Sequence, residues 1–275
     1  MGRRRAAWHL AATLMLMPVA GICLASEKLG SIEDCRGAAA IAIAAASGAR
    51  DGATIGLKDG RVVRLAGIGA PSEFDGSAEA ARRATAALDA LVAGRRVVLH
   101  SARSEPDRYG RIVAQVVVQD EPVQWVQAAL VRDGHAQVLP GSGNPDCAGQ
   151  LLGLERQARR LERGLWSDAA FSILSAHSIP DALVSAGRFA LVEATVRRVG
   201  EAGGRLFLDF GRRYREDFTI VIPREAHAAF AAAGVDLRAL SGRRVRARGV
   251  LFSWGGPAME LRVPGALEVI EADEG

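Results

Sequence analysis

DGATIGLKDGRVVRLAGIGAP, residues 51–71, decides how this chain folds. Asp51-Gly52 and Lys58-Asp59-Gly60 are turn sequences, the second of the Asp-Gly hairpin kind. Thr54 to Leu57 reads as a strand. Arg61 to Ile68 reads as the next strand, with Val63, Leu65 and Gly67 alternating against Arg64 and Ala66. Pro71 ends it. Working outward, GAAAIAIAAAS (37–47) precedes this hairpin, and the Ile41/Ile43 alternation reads as a first strand. Ser77 to Val92 reads as a helix with Ser77 as N-cap, Glu79 in the first turn and Gly94 past the end. RRVVLHS (95–101) and 111–118 are strands joined by a loop containing DRYGR (107–111). Val123 to Arg132 and Asp146 to Arg163 read as two further helices, and Ala136 to Leu139 as a short strand. Three strands, a helix, two strands and trailing helices suit a five-stranded Greek-key barrel, an OB-fold of mixed all-β/α+β character.

Five pieces then appear in a fixed order: DG-x-T (51–54), RLxGIxAP (64–71), D-x-YGR (107–111), ALVRDGHA (129–136) and E-x-x-AR…GLW (155–166). In these the chain resembles the staphylococcal-nuclease-like (thermonuclease) family. The resemblance implies an OB-fold, and a site in which one calcium ion sits among carboxylates beside a scissile phosphodiester. It also implies two arginines that clamp the phosphate and a glutamate that acts on the attacking water. The arginines carry over as Arg64 and Arg111, and Asp107 and Tyr109 match within the second motif.

Most of the acids do not carry over. Ala53 and Gly69 stand where the family has metal-binding aspartates, and Ser72 where it has the glutamate. Calcium takes 6–8 hard oxygen ligands. At an effective dielectric of ~20, two unit charges ~4 Å apart interact by about 4 kcal/mol. Losing two carboxylates therefore removes more than a divalent site can spare. No cofactor is expected on this reading; Ca would be required if hydrolysis survives on displaced acids, for which Asp51, Glu73 and Asp75 are the candidates. A one-residue slip would bring Glu73 toward the glutamate's place, but on an extended segment it also reverses the face.

The remaining 168–275 divides into a linker, 168–186, and a second unit. Strands at 188–199, 205–210 and 217–222 precede a helix from Pro223 to Gly234, followed by strands at 243–252, 258–263 and 266–270. This repeats the order of the first unit and predicts a second small OB-like β-barrel. Arg212, Arg213 and Arg215 surround Tyr214. Arg244, Arg246 and Arg248 alternate along one strand, so that face is expected to be solvated or to bind an anion. Tyr109 and Tyr214 are the candidate base-stacking side chains. Trp125 and Trp166 lie on helical stripes and read as core. Glu155 either supports the surroundings of the arginine clamp or pairs with Arg159 at i,i+4.

Composition sets the class and compartment. With 49% hydrophobic and 24% charged residues, the 275-residue chain suits a soluble protein of two compact domains. The net charge of +4 is carried by arginine; Lys28 and Lys58 are the only lysines. Arginine's forked donors suit phosphate, though a high-GC genome enriches Arg, Ala and Gly together. Arg3, Arg4 and Arg5 followed by apolar 6–24 read as a secretory signal with cleavage after Ala25. The expected organisation is signal 1–25, thermonuclease-like domain 26–167, linker 168–186 and second domain 187–275. That places the protein in the periplasm or outside the cell; an uncleaved 6–24 segment would instead anchor it to a membrane. Cleavage leaves Cys35 and Cys147, and an even count in an exported chain suggests a disulfide, the alternative being two buried thiols. The expected partner is nucleic acid or another polyanion rather than a small-molecule substrate. The leading expectation is binding with weak or absent phosphodiester hydrolysis. Its rivals are an active nuclease using the displaced acids, and a cell-envelope scaffold in which Arg64 and Arg111 are structural.

Overall fold

The computed structural model describes residues 35, 39–73, 77–103, 105–141, 147–213 and 216–270. In the first unit, β1 (Ala39–Asp51) is long enough to serve two neighbours. Its first half pairs with β5 (Arg96–Ser101) and its second half with β2 (Thr54–Leu57), both antiparallel. β2 pairs with β3 (Val62–Leu65), β3 runs parallel to β6 (Ile112–Val118), and β6 returns to β5. The path β1-β2-β3-β6-β5-β1 is a closed five-stranded barrel, the OB-fold the turn pattern predicts. The Lys58-Asp59-Gly60 turn closes the β2–β3 hairpin. Gly60 sits at φ 90°, where a side chain would be strained, and its N–H donates to the Leu57 carbonyl at 3.0 Å.

Helix α1 (Ala78–Val92) is capped by Ser77, whose hydroxyl accepts from the Ala80 N–H, and it buries Ala84, Leu88 and Val92. The predicted strand 61–68 is interrupted. Gly67 turns at φ 78° and its carbonyl accepts from the Leu139 N–H at 2.8 Å. Ile68–Gly69 thus becomes β4, paired with β8 (Gln137–Val138). The second helix begins later than its sequence suggests. Gln124–Trp125 forms an edge strand, β7, on β6, and α2 spans Val126–Arg132. Trp125 is held there because its indole N–H donates to the Gln115 side chain at 2.9 Å. Helix α3 spans Ala148–Arg160, a turn shorter at its C-terminus than predicted. Ile41 and Ile43, whose alternation marked β1, lie on its outer side at 48% and 61% exposure; Ala42, Ala44 and Ala46 face the core. Cys35 and Cys147 are joined by a disulfide with Cα atoms 4.6 Å apart, so the two-thiol alternative does not hold.

The stretch 168–186, predicted to lack regular structure, carries a 3-10 turn at Ala169–Phe171, then β9 (Leu174–Ser175) and α4 (Asp181–Ser185). Leu174, Ile179, Leu183 and Val184 pack on the second core, which gives these apolar residues a use that no periodicity advertised. β10 (Phe189–Thr195), β11 (Arg198–Ala202), β12 (Arg205–Asp209) and β13 (Thr219–Ile222) follow. After α5 (His227–Ala232) come β14 (Arg244–Ser253), β15 (Pro257–Glu260) and β16 (Leu267–Ile270). The strand order is β11-β12-β13-β15-β14-β10-β9, with β16 also on β14 and β13 parallel to β15.

The face carrying Arg244, Arg246 and Arg248 runs from an exposed Arg244 to a buried Arg248, and all three pair with carboxylates of this chain. Arg248 is 1% exposed, with Nη1 2.6 Å from Glu155 of α3 and Nη2 bonded to Glu268 of β16. Arg246 and Arg244 both pair with Glu193 of the neighbouring β10. Glu155 also takes Arg159 at 2.6 Å, so its i,i+4 pairing is real but shared with the second unit. These ions fasten α3 to the β14–β16 sheet.

Candidate nucleic-acid interface

The parallel pairing of β3 and β6 aligns Arg64 with Val113, two residues on from Arg111, and both arginines line one cleft. Arg64 is partly buried. Its Nη1 donates to the Ala53 carbonyl at 2.9 Å and its Nη2 to the Ile68 carbonyl at 3.1 Å. Burial pushes its pKa below the usual arginine value; Asp51 acts the other way, Arg111 adds to the depression, and Asp107 opposes it. Its anchors are thus neutral carbonyls, which fix its direction without cancelling its charge.

Asp107 organises Arg111. Its two carboxylate oxygens accept from the backbone N–H groups of Tyr109 and Arg111 and from the Arg111 Nε, at 2.8–3.0 Å. Desolvation would raise the Asp107 pKa, but these donors hold it below the usual carboxylate range. Tyr109 is 70% exposed, with the guanidinium groups of Arg111 and Arg108 at 5.1 and 5.5 Å from its ring. One cleft is lined by Arg64, Arg111, Asp51 and Glu73 together with Arg50 and Arg82, which sequence reasoning missed. Arg50 adjoins the Asp51-Gly52 turn and Arg82 lies on the exposed face of α1, so strand and helix parity were the available signals. Tyr214 and Asp75 lie outside the described residues. Trp125 is core, though from the edge strand β7 and not from a helical stripe, whereas Trp166 is half-buried beneath Arg159 at 5.6 Å.

The model of the staphylococcal nuclease homologue family matches residues 62–168. An uncharacterized endonuclease of Escherichia coli is 38% identical over 122 residues, covering 43% of this chain and 73% of that protein. The chain belongs to the staphylococcal nuclease homologue family. A protein of the same description from Escherichia coli O157:H7 is 37% identical over the same shares.

For a member of this family the fit to calcium has to be tested on the residues present. Ala53 is buried, and a Cβ built on Gly69 would stand 2.8 Å from Cδ1 of Leu139. A side chain at 69 would therefore need the tip of Leu139 to move aside. Asp51 lends one carboxylate oxygen to the Ala53 N–H at 2.8 Å. Thr54 Oγ1 is buried in the cleft wall without a hydrogen-bond partner, a lone neutral oxygen. Among the described residues no three His, Cys, Asp or Glu side chains gather as a metal site. The carboxylates that line this cleft among the described residues are Asp51, Glu73 and Asp89, and calcium takes 6–8 oxygens.

Proposed function

We propose that this protein binds nucleic acid, or a polyanion of like spacing, through Arg64 and Arg111, with weak or absent phosphodiester hydrolysis. The observation that carries the reading is the cleft itself, which presents Arg50, Arg64, Arg82 and Arg111 and has Ala53 and Ser72 in its wall where the family has acids. Tyr109 supplies a stacking surface beside Arg111, and Asp107 holds that arginine in register. A second reading has one observation in its favour: Asp51 and Glu73 line the same cleft, and a nuclease using these displaced acids would be chelator-sensitive. Incubation with single-stranded DNA and RNA, with calcium and with chelator, separates the two. Calcium-dependent cleavage abolished by chelator would replace the first reading with the second.

On the binding reading, Arg64→Ala and Arg111→Ala each remove one phosphate contact. Each variant should lower the slope of log affinity against log salt by about 0.7 for a single strand. Unchanged slopes in both variants would take the clamp out of the account. A rebuilt calcium site supplies a converse test. Ala53→Asp, Gly69→Asp and Ser72→Glu together should bind calcium only weakly while the tip of Leu139 crowds position 69. Adding Leu139→Ala should bring calorimetric binding with a Kd on the order of 10⁻³ M or tighter, with cleavage following. A folded quadruple variant that binds calcium but does not cleave would mean that Arg64 and Arg111 are not placed as in a working nuclease.

The second unit is, on the same proposal, an OB-like barrel. Support comes from its strand path, because β10 runs into β11 with only Val196 and Arg197 between, which repeats the closure of the first unit. Division into domains at 26–167 and 187–275 and export through 1–25 belong to this reading too. The Cys35–Cys147 disulfide supports export, since such bonds persist in oxidising compartments. Finding the intact chain with Met1 in the cytoplasm would sink the export claim.

A further inference from the structure

The outer face of the second unit gathers aromatic rings that its core does not use. On β12, Leu206 and Leu208 point inward, so Phe207 points out. It meets Trp254 edge-on, with centroids 5.9 Å apart. Phe252, near the end of β14, lies 6.5 Å from Trp254 at an interplanar angle of 29°. Trp254 is 39% exposed and is presented by a tight turn in which its N–H donates to the Gly256 carbonyl at 2.8 Å. The Arg205 guanidinium stacks 5.5 Å from the Trp254 ring centre. Arg224 lies against the Gly203-Gly204 turn that leads into β12. Neither Arg205 nor Arg224 has a carboxylate within ion-pair distance among the described residues. The acids nearby are engaged, Glu225 and Glu260 both pairing with Arg262.

We propose that this face, made by Phe207, Phe252, Trp254, Arg205 and Arg224, is a second nucleic-acid surface that takes unpaired bases of a single strand. It rests on the barrel reading of the second unit and not on the Arg64–Arg111 clamp. In a barrel of that strand path β12 is the second strand, and the turns at 203–204 and 254–256 are the two that flank the ligand face of OB-folds. Trp254 is exposed with Phe207 and Phe252 half-buried beside it, and a contiguous apolar surface rimmed by cations marks a place where a ligand binds. Bases have two flat faces and cover rings without sequence preference, while phosphates take the cations alongside. A duplex hides its base faces, so the occupant is single-stranded. The uncovered guanidinium groups at the rim set its charge.

The test uses the full chain and a fluorescein-labelled twelve-residue oligothymidylate, read by anisotropy at low salt, with inorganic polyphosphate as a base-free competitor. Phe207→Ala with Trp254→Ala should weaken oligothymidylate binding at least about tenfold and leave polyphosphate binding unchanged. Phe207→Tyr with Trp254→Phe should restore most of the loss. Arg205→Glu, a surface change that cannot hollow the core, should weaken both ligands. Arg64→Ala with Arg111→Ala should leave the dependence on the aromatic pair intact, so failure of the clamp and failure of this surface are told apart. Wild-type affinity in the aromatic double variant and in Arg205→Glu would overturn the proposal and leave a protein partner as the occupant of this face. Equal losses for oligothymidylate and polyphosphate would also overturn it, since base stacking would then contribute nothing.

Discussion

Arg248→Ala should cost this protein about 3–5 kcal/mol of stability, the range for removing one member of a buried ion pair. The guanidinium has no solvent-exposed surface and joins two carboxylates from different units, Glu155 on α3 and Glu268 on β16. Glu155 is itself fully buried; its other oxygen accepts from the Val138 N–H at 2.8 Å. Desolvation works against the Arg248 charge, but the two carboxylates raise its pKa above the usual value. Without Arg248, Glu155 keeps Arg159 and loses half of its compensation. Arg248→Lys should fall between, because an ammonium cannot reach two carboxylates with a planar fork. Urea unfolding is the measurement. Since the ions are contacts between the units, the variant should split one transition into two, with the second unit unfolding first. A loss under about 1 kcal/mol would indicate that water reaches the network and screens it. The network also sets an acid limit. Burial would raise the Glu268 pKa, yet Arg248, then Arg159 and Arg246, hold it below the ordinary glutamate value of 4.5. A depressed carboxylate stabilises the fold above its unfolded pKa and loses that contribution as pH falls through the folded one. Wild-type stability should therefore decline below about pH 4.5, and Arg248→Ala should decline less steeply.

The first barrel was legible because its information is local. Asp59-Gly60 fixes a hairpin, Ser77 starts α1, and the period-two runs place Ile55, Val63 and Leu65 inside. That Arg64 and Arg111 line one cleft follows from the same local information, as they lie at fixed offsets within short motifs. What escaped was held by partners far away in sequence. Arg244, Arg246 and Arg248 do alternate, but parity cannot say that α3 covers that face. Glu155 and Arg248 meet across a separation of 93 residues. Leu139, which fills the space beside Gly69, comes from the loop after β8, and nothing near Gly69 announces it. The 168–186 stretch looked unstructured because its apolar residues are sparse and aperiodic; they pack singly on a sheet that forms later in the chain. Strand parity sets Phe207 opposite Leu206 and Leu208, but it does not reach Trp254, which comes from the 254–256 turn and meets that ring.

Breaking the Cys35–Cys147 bond should be comparably damaging. The bond spans a sequence separation of 112 residues, and a loop of that size corresponds to about 4–5 kcal/mol of lost unfolded-state entropy. Both cysteines are buried in the first core, at 3% and 1% exposure. Cys147 is also the residue before α3, the helix that presents Glu155 and Arg159 to the second unit. Freed at this point, the start of α3 loses its tether to the segment before β1, and the ion network loses a fixed base. The expected fall in melting temperature is about 8–20 °C for a chain of this size. Reductant on the wild type and Cys35→Ala with Cys147→Ala should agree, because neither places a polar hydroxyl among the apolar neighbours of Cys147. Thiol titration must show the bond open in the reduced sample. An unchanged melting temperature under that condition would mean that the packing around α3 holds without the bond. Because the disulfide and Arg248 both act through α3, the triple variant should lose less than the sum of the Arg248→Ala and Cys→Ala effects; a full sum would mean that they act independently.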